Sequence, residues 1–183
     1  MSFSKLDQPL IVAEALALLQ DEGLAKVGIR RLAARLDVSA SSLYWHVQDK
    51  TALLSLMSST VFRSCLDAVP PCDDWREWLR GFGLAIWDAQ KRVRDAHLLI
   101  RAVPTSPPGS SVIHAEIEGK LVDLGLDPVV ADLAQRSVQS LATGWTTLLR
   151  NPDADIAEER ALFERALDTL IGGWTVEIQA KPA

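Results

Sequence analysis

Cysteine is nearly missing from this chain of 183 residues: Cys65 and Cys72 are its only two. Two thiols with no second pair do not complete a zinc site, and a chain of this length buries enough core to hold itself without disulfides. A reducing compartment fits that usage, although a Cys65–Cys72 bridge stays open. No apolar run approaches the roughly 20 residues that a membrane span requires, and no basic start leads into an apolar stretch at the N-terminus. The chain is therefore expected to be soluble and cytoplasmic. Also absent are a nucleophile elbow, a Gly-rich phosphate loop and a histidine–carboxylate cluster at metal spacing. These absences argue against an enzyme: no residue is assigned a catalytic or metal-binding role, and no cofactor is implied.

What is present is helical. No stretch alternates with period two for long enough to make a strand, and no internal repeat is found, so the fold class is all-α. Asp7 as N-cap, Pro9 in the first turn and Gly23 as a stop bound an amphipathic helix over 8–22. A short helix follows at 29–36, and a break at Asp37-Val38. Ser39 caps a third helix to about Val47, with Leu43 and Val47 turned to the core. Asp49 caps a fourth, which runs through Leu66 to the break at Pro70-Pro71. Further helices are expected at 75–91, 94–102, 111–124, 128–149 and 155–178, with a loop over Thr105–Ser111.

The net charge is −5, which taken alone argues against a nucleic-acid partner. Its distribution reads differently: between Lys26 and Lys50 lie five basic residues and two acidic ones, a local surplus of +3 that leaves −8 for the remainder. That split suggests a small basic module on an acidic body.

Two short helices separated by a three-residue break make the helix-turn-helix arrangement, whose second helix lies in the DNA major groove. The third helix suits that role. Ala40, Ser41 and Ser42 are small enough to approach base edges; the hydroxyls donate or accept, and Ala40 can meet a thymine methyl. Tyr44, Trp45 and His46 can offer polar hydrogens to flanking phosphates, with one aromatic ring expected to turn inward, and Lys50 can reach another phosphate. Ser39 is counted with them as a DNA-binding candidate.

Residues 6–54, and "LYWHV..K.ALL" within them (Leu43 to Leu54), resemble the DNA-binding domain of the TetR family of repressors, above all its tetracycline repressor subgroup. The likeness continues more weakly through "DDWREWLR" (73–80), "RDAHLLIRAVPT" (94–105) and "LFERALDTLIGGW" (162–174). It implies an N-terminal helix-turn-helix domain over 1–50 and a larger helical domain over 51–183 for effector binding and dimerisation. It also implies that Arg30 reads a base, that Ala40, Ser41 and Ser42 read others, and that Tyr44, Trp45, His46 and Lys50 hold phosphates. Two departures, Asp37 for the usual turn glycine and Ala40-Ser41 for a glutamine-proline pair, imply a different operator. The partners so implied are a double-stranded DNA operator, a second copy of the chain and a small-molecule effector that releases a palindromic operator.

The effector is not expected to be tetracycline with magnesium, because the subgroup's two metal-site histidines align with Leu66 and Leu99, and magnesium gains nothing from leucine. Trp75, Trp78, Phe82, Trp87, Ile100 and Trp145, with His97 as a donor, suggest an apolar or aromatic effector. Each of these residues also fits plain core packing. His114 fits an ion pair with Glu118 as well as it fits a metal site. On the last two helices, Val130, Leu133, Val138, Leu141, Trp145 and Leu148 face one way, and Ile156, Phe163, Leu167, Ile171 and Trp174 form a second stripe. With Gly144, Gly172 and Gly173 allowing close approach, they suggest a two-fold, four-helix dimer interface. The rival reading is a helical adaptor that binds protein and has lost operator recognition.

Overall fold

The computed structural model describes residues 6–102, 112–148 and 155–180. Among them there are helices and no strands, in the order α1 (Gln8–Glu22), a 3-10 turn (Leu24–Lys26), α2 (Ile29–Arg35), α3 (Ala40–Tyr44), α4 (Lys50–Asp67), α5 (Trp75–Arg92), α6 (Ala96–Ala102), α7 (Val112–Asp123), α8 (Pro128–Leu148) and α9 (Ile156–Ala180). The chain is all-α, as its periodicity requires. The Thr105–Ser111 loop lies outside the described residues.

Caps set the boundaries. Asp7 Oδ1 accepts from the Leu10 amide at 2.9 Å, and Gly23 leaves α1 at a φ of +83°, where a side chain would be strained. Asp49 Oδ1 accepts from the Ala52 amide at 2.8 Å to open α4. The third helix is shorter than its pattern suggests. It ends at Tyr44, with Trp45 as its C-cap, and Val47 reaches the core from beyond the helix.

Chain contacts divide the molecule into two compact units, and the division falls inside α4. Among the described residues, the first unit combines the N-terminal helices with residues 91–102, a segment that the sequence groups with the later helices. Its interior is built from Ile11, Ala15, Leu18, Leu19, Leu32, Leu43, Leu53, Met57 and Leu99, all buried. Residues Arg94 and Asp95 clasp the end of α1. Asp95, at a φ of +54°, accepts from the Leu24 amide at 2.9 Å, and Arg94 Nη1 donates to the Asp21 carbonyl at 2.8 Å. The clasp satisfies groups that a helix end otherwise leaves unpaired. Asp95→Ala is expected to cost roughly 2 kcal/mol, since the Leu24 amide loses its acceptor and alanine tolerates the left-handed region less well than aspartate. A urea titration checks this.

The second unit holds the end of α4 with α5, α7, α8 and α9. Trp78, Leu79, Phe82, Ile86 and Trp87 of α5 are buried, as are Val138 of α8 and Phe163, Leu167 and Ile171 of α9. Gly83 permits the closest approach: a Cβ there would lie 2.8 Å from Leu167 Cδ2 and 3.0 Å from Val138 Cγ1. Ion pairs edge this packing. Arg80 meets Asp168 at 2.8 Å and Glu164 at 3.0 Å, and Arg160 bridges Asp88 and Glu164. Outward, α8 and α9 leave Leu133, Leu148, Ile156, Leu162 and Val176 exposed.

Neither cysteine forms a disulfide; Cys65 is buried and Cys72 half-buried. Among the described residues no helix is long and apolar enough to cross a membrane, and no group of three or more histidines, cysteines or carboxylates could hold a metal ion.

Candidate nucleic-acid interface

α3 has five residues, too few to hold itself in water. Two features fix it. Leu43 is fully buried on its inner side, and Ser39 Oγ accepts the Ser42 amide at 3.1 Å as N-cap. Apart from Val47, the rest of the segment is exposed or half-buried. Trp45 is 89% exposed and Tyr44 53%. Neither aromatic ring turns inward, contrary to expectation, because Leu43 and Val47 already fill the core side. Ser39, Ser41, His46 and Lys50 are exposed, with Ala40 and Ser42 half-buried. The segment brings these candidates onto one short stretch of surface.

The three arginines of α2 divide by role. Arg31 donates to Glu22 at 2.8 Å, and Arg35 meets Glu14 and, at 2.7 Å, Asp21. These hydrogen bonds to α1 carboxylates raise both guanidinium pKa values. Arg30 is exposed and has no such partner among the described residues. Periodicity alone could not separate them, since the partners lie up to 21 positions away.

This pairing corrects the reading of a basic module. From Leu6 to Lys50 there are five basic side chains but six acidic ones, three of which sit on α1 and neutralise Arg31 and Arg35. What stays cationic and outward is a local set, Arg30 and Lys50 foremost. Asp37, in the turn, has a φ of +54°, the conformation for which the turn ordinarily uses glycine.

The tryptophans separate in the same way. Trp75, Trp78, Phe82 and Trp87 are all buried on α5, with Trp78 stacked on Phe82 at 5.3 Å between centroids. Trp87 and Trp145 flank Phe163 at 6.2 and 5.8 Å. Trp145 is half-buried, and its buried Nε1 has no hydrogen-bond partner among the described residues. His97 and Ile100 are half-buried on α6.

Trp78 also borders a groove of about 410 Å³, shared with Leu66, Asp67, Glu116, Ile117 and Lys120. Neither the groove nor its carboxylates were legible in the sequence, because α7, distant in the chain from α4 and α5, supplies most of its wall. His114 pairs with Asp132 of α8 at 2.7 Å, not with Glu118 on its own helix. Burial pushes the Asp132 carboxyl up, but hydrogen bonds from Arg136 and His114 outweigh it and hold the group below its usual range.

Comparison with known proteins agrees with this geometry. The sequence profile of the tetR family of bacterial regulatory proteins matches residues 11–57. The class C tetracycline repressor of Escherichia coli is 30% identical over 159 residues, covering 86% of this chain and 72% of the relative. The class G repressor of Vibrio anguillarum is 29% identical over 154 residues, covering 83% and 73%. Among solved structures, a TetR variant from Acinetobacter baumannii AYE in complex with minocycline superposes with a TM-score of 0.79 at 30% identity, covering 97% of this chain and all of that one. BioQ with its double-stranded DNA operator gives 0.71 at 31% identity, covering 94% and 99%. The 30% identity to a tetracycline repressor over most of both chains, the profile match over residues 11–57 and the shared helical frame agree: the chain belongs to the TetR family of bacterial regulatory proteins.

Proposed function

We propose that this DNA-binding, ligand-responsive regulator is a homodimeric repressor that holds a palindromic operator with two copies of α3 and is released by a small apolar or aromatic effector. The observation that carries it is the exposure of Trp45 and Tyr44 on a segment whose inner side is locked by Leu43. Both aromatics belong to the same unit as the exposed cations Arg30 and Lys50. On this reading residues 1–50 are the DNA-binding domain and 51–183 the effector and dimerisation domain. The chain works in the cytoplasm and catalyses nothing.

Arg30 reads a base from α2, and Ala40, Ser41 and Ser42 read others from α3. Tyr44, Trp45, His46 and Lys50 grip phosphates on either side. The exposed apolar side chains of α8 and α9 support a second copy as the dimer partner, and a Cβ on Gly144, Gly172 or Gly173 would meet nothing within 4 Å among the described residues. Two heads must then match successive turns of duplex, about 34–36 Å apart.

For the effector, Trp78 beside the groove supports a ligand with an aromatic face; Trp145, whose indole N–H has no hydrogen-bond partner among the described residues, does not line that groove and stays a separate candidate. Trp75, Phe82 and Trp87, in the same unit as Trp78, complete the candidate set. Release follows from linkage: the ligand must prefer the conformation whose heads no longer fit the operator, or it shifts nothing.

Lys50→Ala and Trp45→Ala are expected to weaken binding to every duplex, with Lys50→Ala reducing the salt slope by about one. Arg30→Ala is expected to relax one base pair, by roughly 1–3 kcal/mol. Fluorescence anisotropy on cognate and random duplexes across a salt series separates the two classes. Equal losses on both duplexes for Arg30→Ala would remove it as a base reader.

A further inference from the structure

We propose that Ser39 sets which purine α3 accepts, by fixing how many hydroxyl protons Ser41 and Ser42 can present to DNA. This rests on the reading that α3 meets base edges, and extends it to a residue that need touch no base.

Ser39 Oγ is a hub. It accepts the Ser42 backbone amide at 3.1 Å and lies 2.8 Å from both Ser41 Oγ and Ser42 Oγ. A serine hydroxyl has one proton and two lone pairs. The Ser42 amide takes one lone pair, which leaves one proton and one lone pair for two neighbouring hydroxyls. One neighbour must therefore donate to Ser39 while the other receives its proton. The donating neighbour spends its only proton and faces outward as an acceptor. The receiving neighbour keeps its proton and faces outward as a donor.

The pair thus presents one donor and one acceptor, in either order, and never two donors. Adenine offers N7 as acceptor and N6–H as donor in the major groove, which matches that pair. Guanine offers two acceptors, N7 and O6, and leaves one of them facing a lone pair. The shared hub makes the rule hold whichever serine carries the outward proton.

The test is selection of bound fragments from random duplex DNA by the full-length chain and its Ser39 variants. The wild type is expected to prefer adenine over guanine at one base pair per half-site by about tenfold, the size of a good edge contact. Ser39→Ala frees both protons and should bring that ratio near one. Ser39→Thr keeps the hub and should keep the preference.

Ser39→Asp still caps the helix but accepts from both hydroxyls, so no outward donor remains and the preference should move to cytosine, whose groove edge donates. This variant guards against a trivial result from a frayed helix. An unchanged adenine-to-guanine ratio in Ser39→Ala overturns the inference and leaves operator recognition standing. No consensus from the wild type would overturn both.

Discussion

Leu43→Ala should lower the stability of the N-terminal unit by about 3 kcal/mol and remove DNA binding at concentrations where the wild type saturates. The reason is the length of α3. Five residues cannot sustain a helix by their own hydrogen bonds, so its position is set from outside. The Ser39 cap supplies one anchor and the fully buried Leu43 side chain the other. Truncating Leu43 removes the apolar contact and leaves a cavity under the segment that carries Ser41, Ser42 and Trp45. Amide exchange across 39–47 together with anisotropy on a cognate duplex reads both effects. Native exchange rates with native affinity would show that α3 is not anchored in this way.

Phe163→Ala is the second large effect, expected at about 4 kcal/mol. The ring is fully buried, and Trp87 and Trp145 pack against it from α5 and α8. Such aromatic pairs contribute about 0.5–1.5 kcal/mol each beyond the area they bury. Removing the ring leaves both tryptophans beside a void that the surrounding helices cannot close, since Gly83 already sits at contact distance from Leu167 and Val138. For a chain of this size the loss corresponds to a fall in Tm of about 10 °C. A shift below about 2 °C would mean that Phe163 is not the centre of this cluster.

The N-terminal helices were legible because their signals are local. Asp7, Pro9 and Gly23 bracket α1, Asp49 opens α4, and the caps appear where the residue types place them. The resemblance carried by Leu43 to Leu54 led to the family and hence to the function. Long-range pairing was not legible. Nothing within α2 tells Arg31 and Arg35, tied to α1, from the exposed Arg30. The same holds for the Arg94–Asp95 clasp on α1 and for His114, whose partner Asp132 is 18 positions away. The charge surplus between Lys26 and Lys50 was real in sequence yet overstated in space, because its counter-ions precede it. The tryptophans of α5 read as pocket lining or, for any one of them more readily, as core; all three are buried, and Trp78 also borders the groove.

Selection from random duplex DNA, followed by sizing of the complex, bears most directly on whether α3 is presented twice. The expected product is a palindromic consensus whose half-sites lie about one helical turn apart, bound by two copies of the chain and weakened steeply by salt. Fragments without a shared sequence, or a single chain bound to an asymmetric site, would contradict it.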